Sequence, residues 1–569
     1  MKRIISIFFT AIFLNACIEQ TETKTEVLVE PAISPNIVLI LADDLALMDF
    51  GVYGGEAQTP NIDALAASGT LFTNYHTSPM CAPSRAMLMT GKNSHATGVP
   101  NLPLFLPPEY QTKEGYEGVL NNNVQTVATR LKTKGYDTYI TGKWHLGQSE
   151  STLPTRRGFD RSYILNASGA DNYEHRPYLP GQGKPAWFKD GQPIDLPDDF
   201  YSSRSLVDEM IGFMEDTRAQ KSKVRNPFFS FISFQAVHIP VQVPKEYTEK
   251  YINTYSNGWD ELRKQRFEKA KALGLISANA TLGNMHPALS DWAQLPTDEK
   301  KYAAKSMAVN AGMIDAMDYN IGRYVEYLRA NDQFENTVFI ITSDNGPEAS
   351  TPAMVPGIMP WLKAQGVSTD YETLGEKRSL TAIGPEFASA AAGPSAFFKF
   401  YAGEGGLRVP LIVSGPGIKV GQKRSNFSFV TDIAPSIVQI ANVAIAKKES
   451  DFDGRSLLPV LTGTATDIYG PNDVIGMEAA GQAALFKGQY KITRNNPPFG
   501  DGNWRLYDLS NDPGETQNLS NARPVLYEEM LEDYDVFSKE NSILEMPEGY
   551  EPLKEIMKKA MHVRSSDEE

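Results

Sequence analysis

Two pairs of side chains with oxygen donors stand far apart in this chain of 569 residues, and each pair follows a short apolar run. They are Asp43-Asp44 and Asp344-Asn345. Ligation by oxygen atoms alone selects a hard cation, Ca²⁺ or alternatively Mg²⁺. For a single acidic pair, a solvated turn or a helix cap is the commoner explanation. Because both pairs follow runs of strand length, we favour one metal site built from all four residues.

Cys81 stands where an anionic nucleophile would be stabilised. Pro83 follows two residues later and Arg85 four residues later, and proline suits the first turn of a helix. Cys81 is therefore predicted at a helix N-terminus, where free N–H groups and the helix dipole favour an anion. The charge of Arg85 adds to this effect. The alternative, which the cysteine by itself would favour, is a buried residue that only packs.

Lysine and histidine side chains follow other apolar runs and could bind an anion or move a proton. They are Lys143 with His145, and His238. Taken alone, a lysine and a histidine after a strand are more often ordinary loop residues. For four further histidines we expect only packing or surface hydrogen bonding: His76, His95, His175 and His286.

The runs before these clusters predict buried strands, because they are short, apolar and rich in β-branched side chains. The predicted strands are Asn36–Leu41, Tyr136–Thr141, Pro227–Phe234, Thr337–Thr342 and Val409–Val413. Helical periodicity lies between them at Asn61–Ala67, Val124–Lys134 and Tyr302–Arg329. The alternation predicts an α/β fold with a large mixed, mainly parallel sheet sandwiched by helices. Ligands of such folds bind beyond the C-terminal ends of the strands, where most of the polar clusters fall.

We divide the folded part into a catalytic domain, residues 34–469, and a C-terminal α+β subdomain, residues 470–569. In the subdomain, Gln482–Thr493 and Trp504–Leu509 predict antiparallel strands, and Val525–Phe537 predicts an amphipathic helix. Two polar or Gly-, Pro- and Ala-rich stretches interrupt the main alternation at residues 245–295 and 347–393. We interpret them as insertions near the mouth of the crevice that could shape substrate choice, with solvent-facing decoration as the alternative.

The sequence of residues 1–16 is typical of a processing signal. Lys2 and Arg3 precede an apolar run that is too short to span a bilayer, and Cys17 follows small residues. The pattern resembles a bacterial lipoprotein signal peptide, which implies a lipid on Cys17 and a tether over residues 17–33. It also implies a protein anchored in the bacterial cell envelope, periplasmic or at the outer membrane. An ordinary secretory signal is the alternative. With Cys17 lipidated, Cys81 has no partner for an intrachain disulfide.

The overall charge excludes one class of partner. The 54 Lys and Arg residues against 69 Asp and Glu give a formal net charge of −15, whereas nucleic-acid binding requires a basic footprint. We therefore expect no nucleic-acid partner, and membrane contact through the lipid anchor only. A small anionic substrate is compatible with this charge, because the local charge of a site decides its binding.

Three motifs resemble those of the type I sulfatases, which depend on Cα-formylglycine and belong to the alkaline-phosphatase-like superfamily. The stretch Cys81–Gly91 carries that family's signature at every defining position. The segments Gly142–Gly147 and Glu404–Pro410, the latter with Lys399 upstream, match two further motifs. Shorter matches extend the resemblance over nearly the whole mature chain, which looks closest to bacterial arylsulfatases. Departures from the pattern at Ala46 and Pro347 leave the candidate ligands intact.

The resemblance implies a modified nucleophile and a metal. A maturation enzyme would oxidise Cys81 to Cα-formylglycine, whose hydrate would attack sulfur and then expel sulfate through its second hydroxyl. Ca²⁺ is the usual ion at the positions that match Asp43, Asp44, Asp344 and Asn345.

The resemblance also implies roles for the remaining side chains. Lys143 would bind a sulfate oxygen, and His145 would take the proton of the second hydroxyl during sulfate release. His238 and Lys399 would bind sulfate and protonate the leaving group. Asp344 would serve as a base on the attacking hydroxyl, beside the catalytic Arg85.

We therefore expect a sulfuric ester hydrolase that acts on aryl or carbohydrate sulfates. Its expected partners are a sulfated small molecule or glycan as substrate and the formylglycine-generating maturation enzyme. Two alternatives remain: a phosphonate or phosphate monoester hydrolase of the same superfamily, and a non-catalytic lipoprotein that binds sulfated glycans. The long span of sulfatase-like motifs favours sulfate, and the complete set of site residues argues against a receptor.

Overall fold

The structure is a computed structural model that describes residues 34–180, 183–220, 226–443, 452–547 and 549–550. The predicted signal peptide, the tether and the lipid site at Cys17 lie outside the described residues. Among the described helices, none combines the length and apolar character that a membrane crossing requires.

The strands of the described chain belong to two sheets. They are β1 (Asn36–Ala42), β2 (Gly69–His76), β3 (Asp137–Lys143), β4 (Arg161–Leu165), β5 (Trp187–Lys189), β6 (Gln192–Ile194), β7 (Phe228–Ser233), β8 (Thr337–Ser343), β9 (Arg408–Ser414), β10 (Gln422–Arg424), β11 (Ser428–Phe429), β12 (Val474–Ala479), β13 (Gln482–Lys487), β14 (Tyr490–Arg494) and β15 (Trp504–Asp508).

Helices connect and cover these strands. They are α1 (Pro60–Ala67), α2 (Cys81–Thr90), α3 (Val127–Thr133), α4 (Ser202–Gln220), α5 (Lys245–Glu249), α6 (Gly258–Ala272), α7 (Thr297–Ala330), α8 (Ile358–Ala364), α9 (Gly384–Ala392), α10 (Glu404–Leu407), α11 (Ile433–Ile440), α12 (Leu458–Thr462) and α13 (Pro524–Glu540).

The large sheet contains 11 of the described strands in the order β10-β2-β9-β8-β1-β7-β3-β4-β5-β6, with β11 beside β2. Its centre, β8-β1-β7-β3-β4, is parallel throughout. The predicted mixed, mainly parallel sheet is confirmed. β9 runs antiparallel to both β8 and β2. Its N-terminal end therefore lies at the same edge as the C-terminal ends of the parallel strands.

Side chains of the central strand alternate between two apolar layers, as the two-residue period of a strand requires. Val38 and Ile40 pack in a cluster that includes residues of α4 and α7. Ile37 and Leu39 pack in a second cluster with residues of α2, α3 and α11. Burial of β1 along its whole length explains its continuous apolar sequence.

The sequence prediction missed β2, whose pairing with β9 shifts register between Phe72 and Tyr75. This irregularity interrupts the simple alternation that marks a strand. The predicted strand Gln482–Thr493 is a hairpin, β13 and β14, that turns at Gly488 with φ of 57°. With β12 and β15 it forms a four-stranded antiparallel sheet, which packs on α13 as predicted for the C-terminal part.

The two stretches that interrupt the alternation contain helices. In residues 245–295, Trp259 of α6 packs on Phe387 of α9, and Arg266 forms buried ion pairs with Asp49 and Glu56. Helix α6 is therefore packed against the rest of the fold, whereas residues 276–295 are exposed or half-buried except for Ala280. Residues 347–393 contain α8 and α9 and begin beside the candidate site.

Candidate active site

Polar side chains at the ends of four strands, and in the segment that leads into a fifth, meet at one edge of the large sheet. Four of these strands are β1, β3, β7 and β8, whose C-terminal ends lie there because they are parallel. The fifth is β9, which begins there because it is antiparallel. The sheet thus collects residues that are up to 355 positions apart in the chain.

The two oxygen-bearing pairs lie together, as expected from their positions after β1 and β8. The backbone N–H of Asp44 donates to Oδ1 of Asp344 at 3.2 Å. Nδ2 of Asn345 donates to Oδ1 of Asp44 at 2.7 Å. Asp44 has a φ of 66°, a left-handed conformation that aspartate adopts more readily than most residues.

Cys81 is the first residue of α2, as the position of Pro83 predicts. Every residue of this helix is buried, and Gly91, with a φ of 68°, caps the helix after Thr90. The sulfur of Cys81 lies 3.4 Å from Nδ1 of His145. Oxygen atoms of Asp43 and Asp344 lie within 4.8 Å of the sulfur and of each other. Burial raises the pKa of the Cys81 thiol above its usual value.

Arg85, one turn further along α2, joins three of the strand ends. Its Nε donates to Oδ2 of Asp344 at 2.8 Å, and Nη1 donates to the carbonyl of Lys143 at 2.9 Å. Nη1 also donates to Oγ of Ser233 at 2.6 Å. Charge-assisted hydrogen bonds of this kind are stronger than neutral ones, so they fix geometry as well as supplying charge.

Two buried lysines pair with the two neighbouring aspartates. Nζ of Lys143 donates to the carboxylate oxygens of Asp43 at 3.0 and 2.7 Å. Nζ of Lys399 donates to Oδ2 of Asp44 at 2.9 Å and to Oε2 of Glu348 at 2.7 Å. The site therefore holds two ammonium groups next to the carboxylates, which suits the binding of an anionic group.

Two imidazoles line the same site. Burial, together with the nearby charge of Lys143, lowers the pKa of His145 well below its usual value. Burial and the charge of Lys399 do the same to the pKa of His238. Nδ1 of His238 contacts the carbonyl of Ile239 at 2.5 Å, so Nδ1 carries the hydrogen. Its Nε2 faces the carboxylates of Asp44 and Glu348 at 3.8 and 3.6 Å.

The four oxygen-bearing residues fit a divalent cation. Oδ1 of Asn345 is buried and has no hydrogen-bond partner within the described part of the chain. It lies on the side chain whose amide nitrogen already binds Asp44, so the free oxygen is available as a ligand. Three carboxylates and one amide oxygen form the donor set that hard cations prefer.

Glu348 and Ser233 are site residues that the sequence analysis missed. Glu348 lies in a stretch without periodicity, and only its position two residues after Gly346 hints at the site. Ser233 ends β7, and its hydroxyl donates to the carbonyl of Lys143 at 2.7 Å. The hint for Ser233 is its place at the C-terminal end of a predicted strand.

Of the four histidines set aside, two pair with buried carboxylates and two lie elsewhere. Nε2 of His76 contacts Glu404 at 2.9 Å, and Nε2 of His95 contacts Glu478 at 3.0 Å. His175 lies 3.7 Å from Asp195, and the ring of His286 packs on Phe499.

This combination of fold and site is shared with a known class of enzymes. A sequence model of the sulfatase family matches residues 35–443, and one described as N-sulphoglucosamine sulphohydrolase, C-terminal, matches residues 395–533. The chain belongs to the sulfatase family. It is a sulfuric ester hydrolase, as the sequence analysis predicts.

Individual proteins support this assignment. An uncharacterized sulfatase of Schizosaccharomyces pombe is 34% identical over 541 residues, which cover 91% of this chain and 95% of the relative. The arylsulfatase of Klebsiella aerogenes is 32% identical over 422 residues, which cover 73% and 89%. The solved structure of Ps i-CgsB in complex with k-i-k-neocarrahexaose has a TM-score of 0.63 at 24% identity, over 89% of this chain and 93% of that chain. This likeness shows the common fold.

Proposed function

We propose that the protein hydrolyses sulfate esters with a Cα-formylglycine made from Cys81, beside a Ca²⁺ ion. The position of Cys81 carries this proposal. Its sulfur lies at a helix N-terminus, 3.4 Å from Nδ1 of His145 and within 4.8 Å of oxygens of Asp43 and Asp344. The hydrate of formylglycine supplies two hydroxyl groups on one carbon, one to attack sulfur and one to expel sulfate.

Asp43, Asp44, Asp344 and Asn345 would hold the cation. We propose Ca²⁺ from the resemblance to the type I sulfatases, with Mg²⁺ as the alternative that the same oxygen donors admit. Such an ion would polarise a sulfate oxygen and offset negative charge as the ester is cleaved. The free Oδ1 of Asn345 supports this assignment.

The buried cations would orient the sulfate group. Lys143 and Lys399 bring ammonium groups next to the two aspartates, where a sulfate oxygen can replace part of their present contacts. Arg85 holds Asp344 in place through Nε and so keeps its carboxylate aimed toward residue 81. Fixed charges of this kind stabilise charge that develops during the reaction and need no rearrangement when it appears.

Proton transfer falls to the two imidazoles and to Lys399. Nδ1 of His145 lies 3.4 Å from the sulfur of Cys81 and would accept the proton of the second hydroxyl as sulfate leaves. Nε2 of His238 lies 3.8 and 3.6 Å from the carboxylates of Asp44 and Glu348, the two groups that the ammonium of Lys399 binds. We assign sulfate binding and protonation of the leaving oxygen to His238 and Lys399, with the ammonium of Lys399 or the imidazolium form of His238 as the proton donor.

We propose an aryl or carbohydrate sulfate as substrate. The complex of Ps i-CgsB with k-i-k-neocarrahexaose supports a glycan, and the Klebsiella aerogenes arylsulfatase supports an aryl ester. We also propose maturation by a formylglycine-generating enzyme and a lipid anchor on Cys17 in a bacterial cell envelope. The sequence pattern around Cys17 is the support for the anchor.

The first test is peptide mass spectrometry across Cys81 on protein from its native host. An aldehyde mass in place of the thiol is the expected result. An unmodified cysteine, in a host that matures its other sulfatases, would refute the formylglycine nucleophile.

Kinetics on matched aryl sulfate and aryl phosphate esters tests the reaction itself. We expect the larger kcat/KM for the sulfate, because the discrimination of an enzyme is the ratio of these constants. A larger kcat/KM for the phosphate would show a phosphoesterase. Tight binding of sulfated glycans without turnover by matured protein would indicate a receptor.

A further inference from the structure

One face of β14 meets a loop of the active site. We call residues 399–406 the site loop. Successive side chains of a strand point to opposite faces, and Ile492 packs with the cluster under α13. Its neighbours Lys491 and Thr493 point the other way, toward the site loop.

Two polar side chains of the C-terminal sheet hold the backbone of Ala402. The side-chain oxygen of Asn495 accepts the N–H of Ala402 at 2.7 Å. Oγ1 of Thr493 shares its one hydrogen between the carbonyl of Ala402 at 3.2 Å and that of Ala483 at 3.1 Å. Both backbone groups of one loop residue are thus bound from the C-terminal sheet.

A buried charged cluster holds the next part of the site loop. Nζ of Lys491 donates to Oε1 of Glu404 at 2.9 Å and to Oε1 of Glu515 at 2.8 Å. Oε2 of Glu515 accepts the backbone N–H of Glu404 at 2.8 Å. Nε2 of His76 contacts the remaining oxygen of Glu404 at 2.9 Å. These side chains are at most 1% exposed, so water does not compete for their contacts.

Both ends of the site loop reach the active site. At one end, the side chain of Lys399 binds Asp44, and its N–H donates to the carbonyl of Pro347 at 3.0 Å. At the other end, the N–H of Gly346 donates to the carbonyl of Gly406 at 3.0 Å. Gly346 directly follows the candidate ligand Asn345.

We propose that Lys491 is a positioning residue for the active site. By binding Glu404 it fixes the site loop, so that Lys399 reaches Asp44 and Gly406 supports the turn after Asn345. The inference rests on the proposed function, because it takes Lys399 and Asn345 as working parts of the site. It extends the enzyme's functional machinery into the C-terminal sheet.

The test compares Lys491→Met with Lys487→Met in the full-length matured enzyme. Methionine keeps much of the length of lysine and removes its charge. Lys487 is the matched control, because it pairs with Glu529 and Asp533 on α13 and not with the site loop. We expect kcat/KM for 4-nitrophenyl sulfate to fall ~10–100-fold in Lys491→Met, since a displacement of about 1 Å in a site has effects of this size.

Hydrogen exchange provides a readout that does not depend on turnover. Amides of residues 399–406 should exchange at least ~10-fold faster in Lys491→Met than in the wild type or Lys487→Met, because local opening controls their exchange. Unchanged exchange in this segment overturns the inference whatever the activity. Faster exchange with wild-type kcat/KM in an active enzyme overturns the positioning role.

A second variant covers the case in which Lys491→Met does not fold. Asn495→Ala removes the acceptor for the N–H of Ala402, together with the contact of Nδ2 with Oγ1 of Thr493 at 3.3 Å, and should produce the same two changes on a smaller scale. Wild-type exchange and kcat/KM in Asn495→Ala would then overturn the inference. If the wild type releases no sulfate, the proposed function fails, and the exchange measurements still decide whether the C-terminal sheet orders the loop.

Discussion

Replacing Gly346 with alanine should disable the active site through one methyl group. A Cβ built on Gly346 lies 1.9 Å from the carbonyl oxygen of Gly405, 2.9 Å from its carbonyl carbon and 3.1 Å from Cα of Gly406. All three are backbone atoms, so no side-chain rotation relieves the overlap. Either the backbone at Gly346 or the backbone at Gly405 and Gly406 must therefore move, and both segments adjoin residues of the site.

The size of the effect follows from this overlap. Non-bonded heavy atoms stay ~3.5 Å apart, so one of the two segments must shift by more than ~1 Å. A shift of that size next to Asn345 should lower kcat/KM by about 10²-fold. Overpacking a filled interior should also lower the free energy of unfolding by about 1–3 kcal/mol.

The assay is release of 4-nitrophenol from its sulfate ester at saturating Ca²⁺, together with urea unfolding of the same samples. Gly212→Ala is the matched control, because a Cβ at that position of α4 meets nothing within 4 Å. This control should keep wild-type activity and gain up to ~1 kcal/mol of stability from helix propensity. A Gly346→Ala enzyme with wild-type kcat/KM and an unchanged urea midpoint would refute the reasoning.

Three further predictions concern the nucleophile, the base and the buried cluster. Cys81→Ser should abolish turnover with unchanged thermal unfolding, since serine cannot form the hydrate in the same maturation system; wild-type rates would contradict the formylglycine mechanism. His145→Ala should slow sulfate release so that sulfated enzyme accumulates, which intact-protein mass spectrometry detects; unchanged rates without that adduct would contradict the role. Burial, with Glu404 adding to it against the opposing charge of Lys491, raises the pKa of Glu515 from 4.5 to about 7. As the pH rises from about 4.5 to 7, the folded protein keeps a proton that the unfolded chain loses. The free energy of unfolding should therefore fall by up to ~3 kcal/mol over this rise. Glu515→Gln should flatten that part of the urea-unfolding profile, and a profile that keeps the full wild-type slope would contradict the assignment.

The metal-ligand candidates could be predicted because local sequence patterns place them. Asp43 and Asp344 each follow an apolar strand, and the parallel direction of β1 and β8 brings them to one edge. Cys81 was placed on a helix N-terminus by Pro83 two residues later. In each case a short-range rule and one general property of α/β sheets were sufficient.

The contacts of Glu348 and Lys491 could not be predicted, because they depend on which distant segments of the chain come together in the fold. Lys491 alternates with the apolar Ile492 in β14, a pattern that ordinarily places the lysine in solvent. Its partner Glu404 lies 87 residues earlier, in the short helix α10 that precedes β9 of the large sheet. The antiparallel direction of β9 could not be predicted for the same reason, since the composition of a strand does not indicate which neighbour it will pair with.

The burial of α2 has a consequence for the order of events during synthesis. Arg85 lies 259 residues before Asp344, its partner at the end of β8. At 5–20 residues per second, the ribosome needs roughly 15–50 s to make the chain between them. Throughout that interval the Cys81 segment exists without the strand that encloses it, whereas the finished fold leaves the cysteine fully buried. Under the proposed formylglycine chemistry, the oxidising enzyme would therefore have to reach Cys81 before the chain folds around it, and a delay in the synthesis or folding of β8 would lengthen the time available.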